Sequence, residues 1–209
     1  MKIRWYGHSC FVIEYKGFTI VTDPFDNCVD YTLPYVNPDI ITVSHDHGDH
    51  SDPEFLKKAP NLDFNKRTFE NEFLKIKSFE SYHDETNGSE RGKNLIFSFS
   101  FSSGLNLIHL GDQGCALPKE LLETIPHNHV LLAPFGGVYT VDGNQSVEFA
   151  KELKSRVVVA MHYKTEKVGF DLKTLDDYNF NFIKQNIIEF NAIEELPEDL
   201  HIVTLDYEH

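Results

Sequence analysis

The stretch DIITVSHDHGDH, residues 39–50, joins a hydrophobic run to a dense group of histidines and aspartates. Its first half is rich in β-branched residues and predicts a short buried strand. Its second half places three histidines and two aspartates within six residues, and their side chains are ligands that zinc and similar divalent ions accept. The next residues predict a helix start, with Asp52 as N-cap and Pro53 at the first helical position. The candidate ligands therefore lie on a tight turn at the carboxyl end of a strand, where α/β folds usually place their chemistry.

Three further candidate ligands occur later in the chain, each just beyond a predicted strand. His83 comes after an alternating run at 73–77, and His162 follows the hydrophobic run at 156–161. Asp112 lies in the glycine-flanked turn LGDQG, residues 110–114, which follows the apolar run at 105–110. Each of these positions repeats the strand-then-ligand arrangement of residues 39–50.

This H-x-H-x-D-H motif, with the later histidine, aspartate and histidine in that order, resembles the signature of the metallo-β-lactamase superfamily. The resemblance extends over nearly the whole chain. It implies an α/β fold (α+β in some schemes), the four-layer αββα sandwich in which two sheets pack face to face with helices outside. It also implies seven metal ligands, namely His45, His47, Asp49, His50, His83, Asp112 and His162.

The same resemblance implies how these ligands divide between two divalent metal ions. The first ion is held by His45, His47 and His83, and the second by Asp49, His50 and His162. Asp112 is then the carboxylate that spans both ions, and Asp49 is also expected to accept a proton. Such a pair lowers the pKa of a bridging water, and the resulting hydroxide attacks the substrate. Zinc is the first choice for this ligand set, and manganese and iron are the alternatives.

Two residues near the N-terminus are candidates for supporting roles. His8, in the sequence YGHS, matches a G-H-S/A element of one branch of the family and is a candidate catalytic or substrate-contacting residue; the alternative is a structural histidine in a turn. Asp23, before Pro24, resembles the aspartate that braces the histidine loop, and the alternative is a simple strand-ending aspartate. Together with the segment APFGGVYT, residues 133–140, they resemble a branch of small bacterial and archaeal metal-dependent hydrolases that includes a sugar-phosphate lactonase. Tyr139 is there a candidate donor to a ligand.

Composition limits the classes of protein that this chain can represent. Its 209 residues, 41% of them hydrophobic, fit one globular domain over residues 1–209. The net charge of −14 works against binding a polyanion, so a nucleic-acid partner is not expected and a small-molecule substrate is. No apolar run is long enough to cross a bilayer, and no signal-peptide core precedes the first strand. With three scattered cysteines, these features predict a cytoplasmic protein without disulfides and without a membrane partner.

The periodicity of hydrophobic residues predicts strands that alternate with helices. Strands are expected near 2–6, 10–15, 18–23, 39–44, 73–79, 94–101, 105–110, 129–133, 156–161 and 202–205. Helices are expected near 53–58, 118–124, 144–154 and 174–186. The phenylalanines at 97–101 are expected in the sheet core, and His109 is expected on the core side of its strand. His127 and His129 have no acidic partner nearby and are expected in a surface turn.

These observations favour a hydrolase that acts on a small ester, lactone or phosphodiester. The first alternative is a nuclease or cyclic-nucleotide phosphodiesterase of the same superfamily, which the acidic charge disfavours. Proteins of a different class are a mono-iron redox enzyme and a metal-sensing or scaffold protein. The sequence contains no cofactor motif that would deliver electrons, and an intact ligand set argues against a scaffold.

Overall fold

The computed structural model describes residues 1–125, 127 and 129–208, and its strands form two mixed sheets. The six-stranded sheet has the order β13-β1-β2-β3-β4-β5. Its strands are β1 (Lys2–Trp5), β2 (Phe11–Tyr15), β3 (Phe18–Thr22), β4 (Ile40–Thr42), β5 (Asn61–Leu62) and β13 (Ile188–Glu189). Lys16-Gly17 forms the turn of the β2–β3 hairpin, and both residues adopt positive φ, as a tight hairpin turn requires.

The eight-stranded sheet has the order β12-β14-β11-β10-β9-β8-β7-β6. Strands β6 to β9 form an antiparallel meander, whereas β9, β10, β11, β14 and β12 are parallel. The bounds are β6 (Thr68–Glu70), β7 (Leu74–Tyr82), β8 (Lys93–Phe101), β9 (Asn106–His109), β10 (Val130–Pro134), β11 (Val157–Met161), β12 (Phe182–Gln185) and β14 (His201–Leu205).

The main hydrophobic core lies between the two sheets. Alternate side chains of β8, including Phe97, Phe99 and Phe101, point into it, as the sequence predicted. Side chains on the other face of β8, such as that of Ile96, lie instead in a second core beneath the helices α1 (Lys119–Thr124) and α2 (Gly143–Glu152). Because strand side chains alternate between faces, the eight-stranded sheet is hydrophobic on both sides.

A third core covers the outer face of the six-stranded sheet. Here Val12, Val21 and Ile41 pack against loop residues such as Phe25 and against Phe55 of a 3₁₀ turn (Phe55–Lys58). The two sheets and their two outer coverings confirm the predicted sandwich. The predicted helix at 53–58 is only this single turn, because Pro60 forces Ala59 into an extended backbone. Its N-cap is Glu54 rather than the predicted Asp52, whose carboxylate accepts hydrogen bonds from the N–H groups of residues 54 and 55 just before the turn.

The predicted helix at 174–186 is wrong. The segment contains a short 3₁₀ turn (Leu175–Asp177) and then strand β12, which pairs in parallel with β14. Its aromatic residues Tyr178, Phe180 and Phe182 recur every second position and contact Phe135, an alternation that indicates a strand. The pattern of the sequence also failed to predict β5, β6 and β13, which are short strands of two or three residues.

Four strands of this sandwich end at one edge and position the candidate ligands. The 45–50 loop follows β4 of the six-stranded sheet, whereas His83, Asp112 and His162 follow β7, β9 and β11 of the eight-stranded sheet. The shared edge therefore lies at the seam between the sheets. Among the helices that the structure describes, none has the length and apolar character needed to span a membrane.

Candidate metal centre

The loop at residues 45–50 turns sharply after β4, and its shape depends on a glycine. The N–H of Asp26 donates a hydrogen bond of 2.7 Å to the carbonyl oxygen of Gly48. A Cβ atom at residue 48 would collide with the carboxylate of Asp26. A larger residue at position 48 would therefore require the Asp26 side chain to move.

Asp112 lies at the centre of the histidines that the loop and the other strands supply. Its Oδ2 atom is 3.0 Å from Nε2 of His83 and 3.1 Å from Nε2 of His162. Its Oδ1 atom is 3.2 Å from Nε2 of His50, and Nε2 of His45 is 3.9 Å from Oδ2. One carboxylate thus faces imidazoles from the ends of two other strands, β7 and β11, and from the 45–50 loop.

The candidate ligands form compact groups in which one donor atom from each residue lies within 4.8 Å of the others. The structure brings together all seven residues that the resemblance implied, and the groups correspond to the expected division between two ions. One group is His45, His47 and His83, another is His8, Asp49, His50 and His162, and Asp112 joins His45 and His50 in a third. His8 is an addition to the expected ligand set.

The unpaired polar atoms of the cluster fit a metal cation. Nε2 of His45, Nε2 of His50 and Oδ1 of Asp112 are buried and make no hydrogen bond with the residues that the structure describes. Burying such atoms without partners costs free energy, and several of them aimed at one point indicate a missing cationic partner. The donor set of imidazole nitrogens and carboxylate oxygens is the one that zinc, manganese and iron accept.

The electrostatics of the cluster keep its carboxylates charged. Burial opposes ionisation of Asp112, but the imidazoles of His162 and His50 outweigh burial and hold its pKa well below the usual value. Burial likewise opposes the charge of His50, but the carboxylates of Asp112 and Asp49 raise its pKa well above the usual value. Burial lowers the pKa of His45 well below that of a free histidine. The cluster thus combines ionised carboxylates with a neutral imidazole, and metal ligands need both forms.

His8 contacts the cluster from the outside of the 45–50 loop. Its Nε2 atom is 3.1 Å from Oδ2 of Asp49, and its ring centroid is 4.0 Å from that of His162. Burial, together with the neighbouring His162, lowers the pKa of His8 to about 4. The neutral ring therefore donates its Nε2–H to Asp49 at neutral pH.

A network of hydrogen bonds behind the cluster fixes the orientation of its histidines. Asp23 is fully buried, and its Oδ2 atom accepts from Nδ1 of His50 at 2.8 Å and from Oγ of Ser44 at 2.6 Å. Because Ser44 donates to Asp23, its Oγ accepts from Nδ1 of His45 at 2.9 Å. Nδ1 of His83 donates to the carbonyl oxygen of Tyr139 at 3.1 Å. Each bond directs Nε2 of its histidine toward Asp112, and the prediction that Asp23 braces this loop is confirmed.

Three of these residues adopt a backbone conformation that non-glycine residues rarely take. His8, Asp23 and His162 have φ angles of 49°, 38° and 50°. The left-handed region is disfavoured for residues with a Cβ atom, and it persists only where the surroundings hold it. The amide N–H of His162 donates to the carbonyl oxygen of His8, which joins two of these residues directly.

A cavity of about 320 Å³ opens next to the cluster. It is lined by five of the candidate ligands and by the side chains of Arg91, Tyr139 and Phe170. Tyr139 was a candidate from the sequence, but Arg91 and Phe170 were not. Both lie in irregular segments, where no periodic pattern indicates which way a side chain points. No sequence signal distinguished Arg91 from the other surface cations.

The remaining histidines lie outside the ligand groups that the described residues form. His109 is buried in β9, as predicted, and its Nε2–H donates to the carbonyl oxygen of Ser9 at 3.0 Å. His129 accepts a hydrogen bond from the N–H of Asn106 at 2.9 Å, and His127 is exposed. The three cysteines are free, which agrees with the expectation that the chain has no disulfides.

Comparisons with known proteins agree on the family. The family model described as a beta-lactamase superfamily domain matches residues 2–162. A proposed Zn-dependent hydrolase of the metallo-β-lactamase superfamily from Thermotoga maritima is 35% identical in sequence. Its crystal structure superposes with a TM-score of 0.77, covering 98% of this chain and 97% of that one.

Two further relatives extend this similarity. A UPF0173 metal-dependent hydrolase of Thermoplasma acidophilum is 29% identical over 228 residues, covering 97% of this chain and 99% of its own length. The metallo hydrolase Igni18 from Ignicoccus hospitalis is 22% identical, with a TM-score of 0.62 over 78% of this chain and 82% of that one. At that identity, the second similarity concerns the fold alone.

Proposed function

The chain belongs to the metallo-β-lactamase superfamily, and on that premise we propose that it is a metal-dependent hydrolase with a centre of two divalent ions. The observation that carries this proposal is the convergence of four histidine side chains on Asp112, beside two groups of candidate ligands, with three buried polar atoms that make no hydrogen bond with the described residues. Zinc is the first choice for the ions, and manganese and iron are the alternatives. The relatives whose names specify a metal-dependent or Zn-dependent hydrolase support the reaction class.

The two ligand groups define which residues would hold the ions. His45, His47 and His83 would hold one, Asp49, His50 and His162 the other, and Asp112, which lies close to histidines of both groups, would be a ligand shared by the two. When bound, such a pair polarises the substrate and lowers the pKa of a water molecule toward neutrality.

Residues of the chain itself accept the proton that the attacking water releases. We assign the carboxylate of Asp49 as the group that accepts the proton of the attacking water, because Asp49 lines the cavity and its Oδ2 atom is 3.7 Å from Nε2 of His50. His8 holds this oxygen through its Nε2–H and thereby fixes the carboxylate's orientation. Asp49, Asp112 and His8 are accordingly the proposed catalytic residues.

The cavity supports a small substrate. Its volume of about 320 Å³ is at the lower end of the range for small-molecule sites. Phe170 and Tyr139 line it with two aromatic rings, whose centroids are 6.5 Å apart, and these can contact the apolar part of a substrate. A small ester, lactone or phosphodiester fits this space, whereas the net charge of −14 disfavours a nucleic acid.

Metal content measured together with turnover tests this proposal. We expect two equivalents of metal in the purified protein, with metal-dependent hydrolysis of at least one compound in a panel of lactones, aryl esters and aryl phosphodiesters. Asp112→Asn should lose metal and lower kcat/KM by at least about 100-fold, because an amide cannot supply the charge that two ions require. His127→Ala, which removes an exposed histidine outside the ligand groups, is the matched control.

The same measurements separate the alternatives. Turnover of phosphodiesters without turnover of esters or lactones would favour the phosphodiesterase alternative. One equivalent of iron without hydrolysis would favour the mono-iron redox enzyme. No bound metal under metal-replete conditions, or wild-type turnover in Asp112→Asn, would contradict the proposed centre.

A further inference from the structure

Arg91 places a guanidinium at the wall of the cavity that contains the proposed metal ligands. It lines this cavity together with His83, Asp112 and Tyr139. It also lines two adjoining cavities, one with Asp84 and Thr86 and one with Phe64 and Lys93. Arg91 therefore lies where the space around the cluster opens to the surface.

The guanidinium of Arg91 is only weakly engaged within the described part of the chain. Its centre lies 5.3 Å from the ring centroid of Tyr139, and its ion pair with Glu90 has an N–O distance of 3.7 Å. Arg67, whose side chain is equally exposed at 34%, instead forms a 2.6 Å pair with Glu80 and two hydrogen bonds with Ser78. The neighbouring Lys93 is also paired with Glu80, at 3.3 Å. Arg91 thus keeps hydrogen-bond donors available to a ligand.

The loop that carries Arg91 folds around the carboxylate of Asp84. Oδ1 of Asp84 accepts hydrogen bonds from the N–H groups of Thr86 and Gly88 and from the hydroxyl of Thr86. Oδ2 accepts from the N–H groups of Glu90 and Arg91 at 3.1 and 2.8 Å. Because Asp84 directly follows His83, this loop is fixed relative to the ligand cluster, and the backbone of Arg91 is positioned at the cavity before any substrate arrives.

We propose that Arg91 binds an anionic group of the substrate, a carboxylate or a phosphate, that lies apart from the bond to be hydrolysed. This inference rests on the proposed hydrolase function and names its substrate class. A guanidinium presents parallel N–H donors that match the paired oxygens of such groups. Tyr139 and Phe170, whose ring centroids are 6.5 Å apart, would contact the apolar part of the same molecule.

The charge of the whole molecule limits the size of this anion. With a net charge of −14, the protein repels polyanions over most of its surface. A local guanidinium at the cavity wall attracts a small, singly or doubly charged molecule at short range, where screening by salt is weak. The proposed substrate is therefore a small ester or lactone that carries one carboxylate or phosphate.

A pair of aryl esters that differ in one charge tests the inference. The phenyl monoester of succinic acid carries a carboxylate where phenyl butyrate carries a methyl group. The spontaneous cleavage of the succinate ester by its own carboxylate, which is slow because phenolate is a poor leaving group, is measured without enzyme and subtracted. We expect the metal-loaded wild type to favour the succinate ester in kcat/KM, and Arg91→Met to lower this preference by about tenfold. Arg91→Lys should keep part of it, and Arg67→Met, the control with equal exposure, should leave it at the wild-type value. A wild type without preference, or an unchanged preference in Arg91→Met, would overturn the inference.

A binding measurement separates this inference from the proposed function. N-phenylsuccinamate and N-phenylbutanamide are slowly hydrolysed amide analogues of the same pair, and their Kd values can be measured by calorimetry. We expect N-phenylsuccinamate to bind about tenfold more weakly to Arg91→Met than to the wild type, even if neither ester is turned over. Absence of turnover with this difference intact would count against ester hydrolysis alone. Equal Kd values in the two proteins, or no binding to the wild type, would overturn the role of Arg91.

Discussion

Asp23 illustrates how one residue controls the chemistry of several others. Its Oδ2 atom accepts hydrogen bonds from both His50 and Ser44, and its Oδ1 atom accepts one from the backbone N–H of Ser44. These bonds hold a proton on Nδ1 of His50, so Nε2 is the atom that would bind a cation. The side chain does not line the cavity with the ligands, so its effect on them is indirect.

Replacing Asp23 with asparagine tests this control of orientation. The amide keeps the size of the side chain but presents a donor where two donors already point, so His50 should lose its fixed tautomer. We expect metal affinity to fall by about 10- to 100-fold in Asp23→Asn, measured by competition with a chromophoric chelator. Asp39→Asn, at an exposed aspartate that accepts from the N–H of Thr19, should bind metal like the wild type. Unchanged affinity in Asp23→Asn would show that the bracing is dispensable.

At the residue scale, the sequence predicted the candidate ligands but not the cavity beside them. The H-x-H-x-D-H motif is local, and the later ligands each follow a hydrophobic run that identifies a strand end. Arg91 and Phe170 reach the cavity only because their loops fold back over it. The direction of a side chain in an irregular loop depends on tertiary contacts that no local pattern encodes.

At the scale of single elements, helix α2 shows how a local signal is sufficient. The carboxylate of Asp142 accepts hydrogen bonds from the N–H groups of Asn144 and Gln145. Oε1 of Gln145 accepts one from the N–H of Asp142, which completes a capping box. Lys173 adds an ion pair of 2.8 Å with Asp142. The helix begins at Gly143 because this cap satisfies the first amides, close to the predicted start at 144.

The cap of α2 gives a prediction with a defined pH dependence. Burial opposes the charge of Asp142, but Lys173 and the capped amides outweigh it and lower its pKa. A lowered pKa stabilises the folded state above the pKa of the unfolded chain, about 3.9, and this contribution is lost as the pH falls through the folded value. We expect Asp142→Ala to reduce the free energy of unfolding by about 1 kcal/mol at neutral pH, and by less below about pH 4. Urea denaturation at both pH values measures this change.

The control for this cap is Glu148→Ala on the same helix. Glu148 is exposed and pairs only with Lys151 three residues away, so the expected loss of stability is about 0.5 kcal/mol or less. An equal effect of both substitutions, or a pH-independent effect of Asp142→Ala, would contradict the role of the cap.

Elements without such local signals were predicted poorly. For the segment at 174–186 the sequence predicts a helix, and the structure has a short 3₁₀ turn and a strand instead. Its pairing with β14 and the contacts of Tyr178, Phe180 and Phe182 with Phe135 instead make it an edge strand. Tertiary packing overrides a weak helical preference at such a position.

At the scale of the whole molecule, the ligand cluster connects the two sheets. The 45–50 loop belongs to the six-stranded sheet, whereas the strands before His83, Asp112 and His162 belong to the eight-stranded sheet. A cation bound between them would contact both halves of the sandwich at once. Binding to the folded state alone stabilises a protein by mass action, by about 2.7 kcal/mol when the free ligand is at 100 times its Kd.

Removal of metal should therefore lower the thermal stability of the whole domain. We expect a chelator to reduce the Tm and added zinc to restore it, with one cooperative transition in each state, measured by calorimetry. Asp112→Asn should show little response to either treatment, because it lacks the central carboxylate. A wild-type Tm that is the same with and without metal would contradict a cluster that binds cations across the seam.

The global architecture was more predictable than its edges. Long hydrophobic strands such as β8 and β11 determine which faces pack together, and their patterns are strong. The short strands β5, β6 and β13 owe their existence to pairing with neighbours, so they have too few residues for a pattern of their own.

The left-handed backbone of His8, Asp23 and His162 has a consequence for mutational tolerance. Each of these positions imposes two requirements on a substituted residue. Its side chain must supply the same chemistry, and its backbone must adopt a positive φ angle, which is strongly disfavoured for β-branched residues. Glycine and asparagine satisfy the second requirement while removing the first. Variants with glycine or asparagine at these positions should therefore fold and yet lose function. Variants with valine or isoleucine should neither fold stably nor function, so comparing the two sets of variants would show how much the backbone strain restricts each position.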